Sequence, residues 1–136
     1  MKRNGLRVLL AEDETLTRLV LEEALEAEGH TVLAAANGAA ALELAAIHPF
    51  DILVTDLAMP VMTGQELISR LRHQRPELPV VVMTGYLPPG TLSMLFPRGD
   101  GPLALLHKPF MLEELLAVVA RAVPCAPQQV ATALYA

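Results

Sequence analysis

Asp56 is the side chain in this sequence that is best placed to do chemistry. It follows the apolar run from Ile52 to Val54, which is typical of a short buried strand. The segment from Leu57 to Pro60 cannot continue a central strand, because Pro60 has no N–H to give to the ladder. A strand that ends in this way presents its acid at its C-terminal edge, where ligands bind in open α/β sheets.

Other polar side chains follow the remaining apolar runs. Glu12 and Asp13 come after the first run, Thr84 ends the fourth, and Lys108 follows the fifth. Because the C-terminal ends of parallel strands share one edge of a sheet, we expect these residues to converge on Asp56.

Such a group of side chains suits phosphoryl transfer to a carboxylate. Three neighbouring carboxylates repel one another unless a cation joins them. A hard divalent cation with oxygen ligands, most simply Mg²⁺, meets that need. A lysine ammonium and a threonine hydroxyl can then bind a tetrahedral dianion.

The elements that must position these groups alternate between strands and helices. Strands are predicted at 6–11, 31–35, 52–56, 80–83 and 103–106, and helices at 15–28, 39–47, from 63 or 64, and 111–122. This alternation predicts the α/β class, with a doubly wound five-stranded parallel sheet and right-handed crossovers. Proline and glycine between the last two strands leave only 91–96 for a fourth helix, which is therefore expected to be short or irregular.

Two helices have apolar positions at helical spacing. In the first helix these positions fall on one face, which we expect to be the buried one: Leu16, Leu19, Val20, Ala24 and Ala27. In the last helix the predicted buried positions are Leu112, Leu115, Leu116 and Val119.

Composition excludes several classes of protein. The 136 residues are 53% hydrophobic and 18% charged, which fits one folded domain and excludes a disordered chain. The net charge of −5 gives no footprint for nucleic acid or an anionic membrane, and no apolar run is long enough to span one. With Cys125 as the single cysteine, we expect a soluble cytoplasmic protein. The histidines lack metal-like spacing and are predicted at the surface or in loops: His30, His48, His73 and His107.

The chain resembles the receiver domain of two-component response regulators. The resemblance is carried by Glu12-Asp13, by Asp56 in a Thr-Asp-x-x-Met-Pro setting with Gly64 after it, by Thr84-Gly85, and by Lys108-Pro109-Phe110. It covers about residues 5–123 as one domain and leaves 124–136 as a C-terminal tail. It implies a flavodoxin-like sheet with strand order 2-1-3-4-5.

The resemblance also implies a role for each site residue. Asp56 would accept a phosphoryl group, and Asp13 and Asp56 would bind Mg²⁺, or Mn²⁺ in its place, together with the backbone carbonyl of Ala58. Glu12 would assist the metal directly or through water. Thr84 and Lys108 would bind the phosphoryl oxygens, and the Lys108-Pro109 bond would be cis.

Partners follow from the same resemblance. The donor would be a sensor histidine kinase or a histidine phosphotransferase, and the output would be a change in contacts with a downstream protein that the sequence does not name. The chain would be a stand-alone regulator or the receiver of a hybrid kinase, and a phosphorylation-dependent dimer is one form that its output could take. Such domains catalyse part of their own phosphotransfer and a slow hydrolysis, and so stand between enzyme and switch.

The chain departs from the family pattern at three places. Leu105 replaces the usual aromatic residue three positions before the lysine, and we hypothesise that Tyr86 partly takes its place. Ala58 is smaller than the residue that often shapes water access two positions after the acceptor. The broken fourth helix predicts unusual mobility over 85–101.

Three alternatives remain open at this point. One is a receiver-like interaction module that is not phosphorylated, although the intact acids, Thr84 and Lys108 disfavour it. Another is a metal-dependent phosphatase, which would commonly have a second acid where this chain has Ala58. The third is a flavin-binding flavodoxin, but the loop after the first strand is acidic where a phosphate cradle would be rich in Gly, Ser or Thr.

Overall fold

A computed structural model describes residues 5–96 and 103–122 of the chain. Its strands are β1 Arg7–Ala11, β2 Thr31–Ala35, β3 Ile52–Asp56, β4 Val80–Thr84 and β5 Ala104–His107. Its helices are α1 Thr15–Ala27, α2 Gly38–Ile47, α3 Gly64–Gln74, α4 Thr91–Leu95 and α5 Leu112–Ala122. The predicted strand–helix alternation is confirmed, and the predicted tail at 124–136, with Cys125, lies outside the described residues.

The strands form one five-stranded sheet in the order β2-β1-β3-β4-β5, and every neighbouring pair is parallel. This confirms the predicted flavodoxin-like order. The register places Asp56 beside Met83 and Thr84 beside His107. The C-terminal ends of β3, β4 and β5 therefore lie side by side at one edge of the sheet, as the predicted site requires.

The core has two layers, one on each face of the sheet. Alternate strand residues point to opposite faces, so that Leu9 and Leu53 belong to one apolar cluster while Leu10 and Val54 belong to the other. The first cluster packs against α2 and α3, and the second packs against α1 and α5. Strand β3 is buried along its whole length, so the position of Asp56 is fixed by packing on both sides.

The predicted buried face of α1 is wrong. Leu16, Leu19 and Val20 are 74%, 53% and 49% exposed, whereas Leu21 and Leu25 are the buried residues of the helix. The helix is apolar on two adjoining sides, and the side that carries Leu21 and Leu25 packs on the sheet. Periodicity could not choose between two apolar stripes on one helix.

The fourth helix is short, as predicted, with five residues. It follows Gly90, which has a φ of 85° in the left-handed region that glycine tolerates. The predicted mobility of 85–101 stays a prediction, and 97–101 lie outside the described residues. Within the described ranges, no helix has the length and apolar character that a bilayer span requires.

His30 lies in a loop, as expected, but it is buried and not at the surface. Its exposed fraction is 7%, and its Nδ1 accepts a hydrogen bond from the Leu6 N–H at 3.0 Å. Burial lowers the pKa of His30 below its ordinary value of 6.5, although the charge of Glu28 opposes this. The imidazole is therefore held in its neutral, hydrogen-bond-accepting form.

This burial predicts a pH dependence of stability. Above pH 6.5 the imidazole is neutral in both the folded and the unfolded chain, so its contribution is complete. Below pH 6.5 the unfolded chain takes up the proton first. The free energy of unfolding therefore falls as the pH drops towards the lower pKa of folded His30. Denaturant melts across this range should show a slope that His30→Asn reduces. The exposed His48→Asn should keep the slope, and an unchanged slope in His30→Asn would contradict the assignment.

Candidate functional site

The carboxylate of Asp56 is at the C-terminal end of β3 and is held by two hydrogen bonds. The residue is only 6% exposed. Its Oδ1 accepts the Ala58 N–H at 3.1 Å, and its Oδ2 accepts the Lys108 ammonium at 2.7 Å. The backbone after the strand therefore turns back on the acid and orients it.

Gly64 lets this turn close against the end of the strand. Its N–H donates to the Leu57 carbonyl at 2.9 Å, and a Cβ at this position would lie 1.9 Å from the backbone oxygen of Asp56. No side chain can occupy that space without moving the backbone of the acid. Thr63, just before it, caps α3 by accepting the Glu66 N–H at 3.2 Å.

Gly64→Ala is expected to destabilise the domain by roughly 2–3 kcal/mol, because the added methyl must displace the backbone at Asp56. Gly85→Ala is the matched control, since a Cβ there would meet nothing within 4 Å. Chemical denaturation of the two variants should separate them clearly. Equal stabilities would show that the backbone around Asp56 relaxes freely.

Glu12 lies directly after β1 and is almost completely buried, at 1% exposure. Its Oε1 accepts the Lys108 ammonium at 2.9 Å, and its Oε2 accepts the Glu14 N–H at 3.1 Å. Its own N–H donates to the Ala35 carbonyl of β2 at 3.0 Å. The side chain is therefore fixed towards Asp56, on the neighbouring strand.

Lys108 follows β5 and places one ammonium between the two buried carboxylates of Glu12 and Asp56. Burial lowers its pKa, but the hydrogen bonds to both carboxylates and their negative charges raise it more, so the pKa lies above its ordinary value. The Lys108 N–H also donates to the Thr84 carbonyl at 2.9 Å, which ties β5 to β4. The Lys108-Pro109 bond is cis, as the resemblance implied.

Glu12, Asp13 and Asp56 form an acidic cluster. One carboxylate oxygen from each lies within 4.8 Å of the others, and Asp13 is the exposed member. Hard carboxylate oxygens at this spacing are the donors that Mg²⁺ prefers. The residues therefore fit a magnesium ion, and the carbonyl of Ala58 stays a predicted fourth contact.

Thr84 is buried at the same edge, but its hydroxyl is engaged elsewhere. It donates to the Tyr86 carbonyl at 2.7 Å and accepts the Tyr86 N–H at 3.1 Å. The structure thus groups Glu12, Asp13, Asp56 and Lys108, while the Thr84 hydroxyl is turned into its own loop. Its predicted contact with a phosphoryl oxygen stays a prediction.

The side chains predicted to concern readout differ in exposure. Leu105 packs against the core cluster on the α2–α3 side of the sheet. Tyr86 is 72% exposed and follows Thr84 by two residues. The hypothesis that Tyr86 replaces the missing aromatic residue stays untested, and it concerns an exposed residue.

Two features of the site were missed by the sequence reasoning. Arg18, which is half-buried in the first turn of α1, donates from Nη1 to the Glu12 carbonyl at 2.9 Å. A groove of about 570 Å³ runs beside Lys108 and is lined by Leu16 and Val20 of α1 and by Phe110 and Leu112. The apolar residues of α1 were the available signal for the groove, but they were assigned to the core.

The family model described as "Response regulator receiver domain" matches residues 8–120. The response regulator receiver protein CpdR of Brucella abortus is 39% identical over 112 residues, which are 81% of this chain and 90% of CpdR. The DNA-binding transcriptional regulator NtrC of Escherichia coli is 34% identical over 116 residues, which are 85% of this chain but 24% of NtrC.

Solved structures share the fold. The chemotaxis response regulator CheY4 of Vibrio cholerae superimposes with a TM-score of 0.76 at 30% identity, over 88% of this chain and 99% of CheY4. The receiver domain of the Francisella response regulator 1452 gives a TM-score of 0.75 at 27% identity, over 88% of this chain and 97% of that domain.

Proposed function

The chain belongs to the family of two-component response regulator receiver domains, and we propose that its Asp56 accepts a phosphoryl group from a phosphohistidine. The donor is a sensor histidine kinase or a histidine phosphotransferase. The phosphorylated domain, residues 5–123, then changes its contacts with a downstream protein. Mg²⁺, or Mn²⁺ in its place, is the required cation.

One observation carries this proposal. Asp56, buried at the end of β3, shares an ammonium with Glu12 and lies within a cluster of three carboxylates. A buried acid that is paired, oriented and next to a fitting cation site is arranged for chemistry and not for capping a turn. The comparisons support the same family of reactions.

The transfer uses Asp56 as a nucleophile. A carboxylate oxygen attacks the phosphorus, an O–P bond forms, and the N–P bond of the phosphohistidine breaks as the imidazole nitrogen leaves with the electron pair. Asp13, Asp56 and the Ala58 carbonyl would hold Mg²⁺, with help from Glu12. The charge that the ion supplies there would neutralise charge on the transferring oxygens. The Ala58 N–H keeps the carboxylate oriented, and Lys108 gives up Asp56 Oδ2 for a phosphoryl oxygen.

Thr84 supplies the switch in this proposal. Its hydroxyl donates its one hydrogen to the Tyr86 carbonyl and must give up that bond before it can donate to a phosphoryl oxygen. The loop after β4 therefore loses one of its internal hydrogen bonds when the hydroxyl turns inward. The exposed Tyr86 ring would move with that loop, which gives a downstream protein a changed surface to bind.

The groove between α1 and the segment after β5 suits the donor. It is apolar, it is bordered by Lys108, and it has exposed Leu16 and Val20 on one wall. An amphipathic helix that carries a phosphohistidine could lay its apolar face there and bring the phosphoryl group to Asp56.

Incubation with acetyl phosphate tests the proposal. With Mg²⁺, intact-protein mass spectrometry should show the gain of one phosphoryl group, and the gain should disappear when EDTA removes the metal. Acid-stable, metal-independent labelling would contradict an aspartyl phosphate. No mass gain in the presence of Mg²⁺ would favour an interaction module that is not phosphorylated.

A further inference from the structure

We infer that Arg18 is a positioning residue for the cation site, and that it acts by holding the main chain of Glu12. The inference rests on the proposed Mg²⁺-dependent function. Within the described ranges, Arg18 donates no hydrogen bond to the proposed acceptor or to any carboxylate of the cluster. Its guanidinium instead donates to the Glu12 carbonyl at 2.9 Å.

That bond completes the fixing of the Glu12 peptide groups. On one side the Glu12 N–H donates to Ala35 of β2 at 3.0 Å, and on the other side the Glu12 carbonyl accepts from Arg18. With both backbone groups held, the Cα–Cβ bond of Glu12 has a fixed direction. The buried carboxylate can then reach Lys108 and the Glu14 N–H together.

The hydrogen bond from Arg18 to Glu12 also restrains the backbone next to Asp13, the exposed acid of the cluster. Asp13 lies between two held residues, because Glu12 is fixed by Arg18 and the Glu14 N–H is bound to Glu12 Oε2 at 3.1 Å. Releasing the Glu12 carbonyl would loosen both neighbours of Asp13. A metal site whose supporting contacts are lost typically binds its ion about 10-fold to 100-fold more weakly.

Arg18 differs in this respect from Lys108, the other cation at the site. Lys108 binds one carboxylate oxygen of Glu12 and one of Asp56 directly. Its ammonium therefore competes with Mg²⁺ for those oxygens. Arg18 brings a positive charge to the Glu12 main chain, but within the described ranges it donates to no carboxylate oxygen of the cluster. Its charge alone would weaken the binding of a divalent cation by repulsion, whereas its hydrogen bond should strengthen that binding. The two effects have opposite signs and can be separated.

Three variants of the full chain separate them. Mg²⁺ is added to wild type, Arg18→Ala, Arg18→Gln and Arg18→Lys, and the amide resonances of Asp13 and Ala58 are followed by NMR. Arg18→Ala should bind Mg²⁺ about 10-fold more weakly than wild type. Arg18→Lys and Arg18→Gln, which keep a donor, should recover most of that loss, with Gln doing so without the charge.

Two results overturn the inference. Tighter Mg²⁺ binding in both Arg18→Ala and Arg18→Gln than in wild type would show that only the charge of Arg18 acts, and unchanged binding in all variants would make it a bystander. If Arg18→Ala does not fold, Arg18→Met, which keeps the apolar stem but has no hydrogen-bond donor, takes its place in the comparison. Mg²⁺ binding is measured without a phosphodonor, so it is independent of the labelling experiment with acetyl phosphate. A wild type that binds Mg²⁺ but takes no label refutes the proposed function, while the role of Arg18 is still measured. A wild type that binds no Mg²⁺ refutes both.

Discussion

Asp56→Asn is expected to remove all of the phosphoryl label that acetyl phosphate gives to the wild-type protein, while the fold stays intact. An amide has no carboxylate oxygen with which to form an acyl phosphate, so the loss should be complete and not partial. The change is nearly isosteric, and the amide oxygen can still accept the Ala58 N–H that now binds Oδ1. The measurement is intact mass after incubation with Mg²⁺ and acetyl phosphate.

Asp51→Asn is the matched control for this result. Asp51 precedes β3, at the opposite edge of the sheet, where it pairs with the exposed Arg7 at 3.4 Å. It is an aspartate close to the same strand but outside the acidic cluster, and its variant should label as wild type does. Label that persists in Asp56→Asn, or that is lost in Asp51→Asn, would place the acceptor elsewhere.

The sequence was sufficient to predict the meeting of the acids and the lysine, because parallel topology decides it. Once Asp56 and Lys108 each follow a strand, and the strands are parallel, both must be at one edge of the sheet. What the sequence could not give is the pairing of Lys108 with two carboxylates. Lys108 was predicted as a partner of the phosphoryl group, and the structure pairs its ammonium with Glu12 and Asp56.

The other surprises depend on tertiary contacts that leave no local pattern. Arg18 reads as an ordinary helix-surface cation until the Glu12 carbonyl is placed beside it. Val61 is a β-branched residue with a φ of 70°, a strained conformation that propensity would assign to glycine or asparagine. The carbonyl of the next residue, Met62, accepts the Gly38 N–H at 3.1 Å, which ties this loop to the start of α2. Residue propensities therefore fail to predict the backbone conformation of the loop after Asp56, which borders the site.

The ion pairs of Lys108 explain why this residue matters for stability as well as for transfer. Two nearly buried carboxylates share its ammonium, at 2.9 Å for Glu12 and 2.7 Å for Asp56. Removal of one partner from a buried ion pair leaves an uncompensated charge, which costs more than the pair contributed. A cation that binds the same oxygens can take over this role, so Mg²⁺ and the lysine should substitute for each other in stability but not in phosphoryl transfer.

Lys108→Met is therefore expected to lower the free energy of unfolding by roughly 2–3 kcal/mol at neutral pH without Mg²⁺. This loss is smaller than the loss expected for a fully buried ion pair, because the Lys108 side chain is partly exposed. Added Mg²⁺ should stabilise this variant more than it stabilises wild type. Labelling by acetyl phosphate at saturating Mg²⁺ should nevertheless slow about 100-fold to 1,000-fold, because no ammonium binds the phosphoryl oxygens. Denaturant melts with and without Mg²⁺, and initial rates of mass gain, measure the two effects.

The sign of the pH dependence distinguishes this effect from ordinary acid unfolding. The pKa of Lys108 is raised above 10.5, so its contribution is complete at neutral pH and is lost only as the pH rises through the higher folded-state pKa. Wild type should therefore lose its advantage over Lys108→Met on the alkaline side and not near neutrality. Arg70→Met removes an exposed cation that pairs with Glu66 at 3.1 Å, and it should cost less than about 1 kcal/mol and show no Mg²⁺ dependence. If Lys108→Met and Arg70→Met were equally stable without Mg²⁺, the ammonium would not be the counter-ion that keeps the buried acids in place.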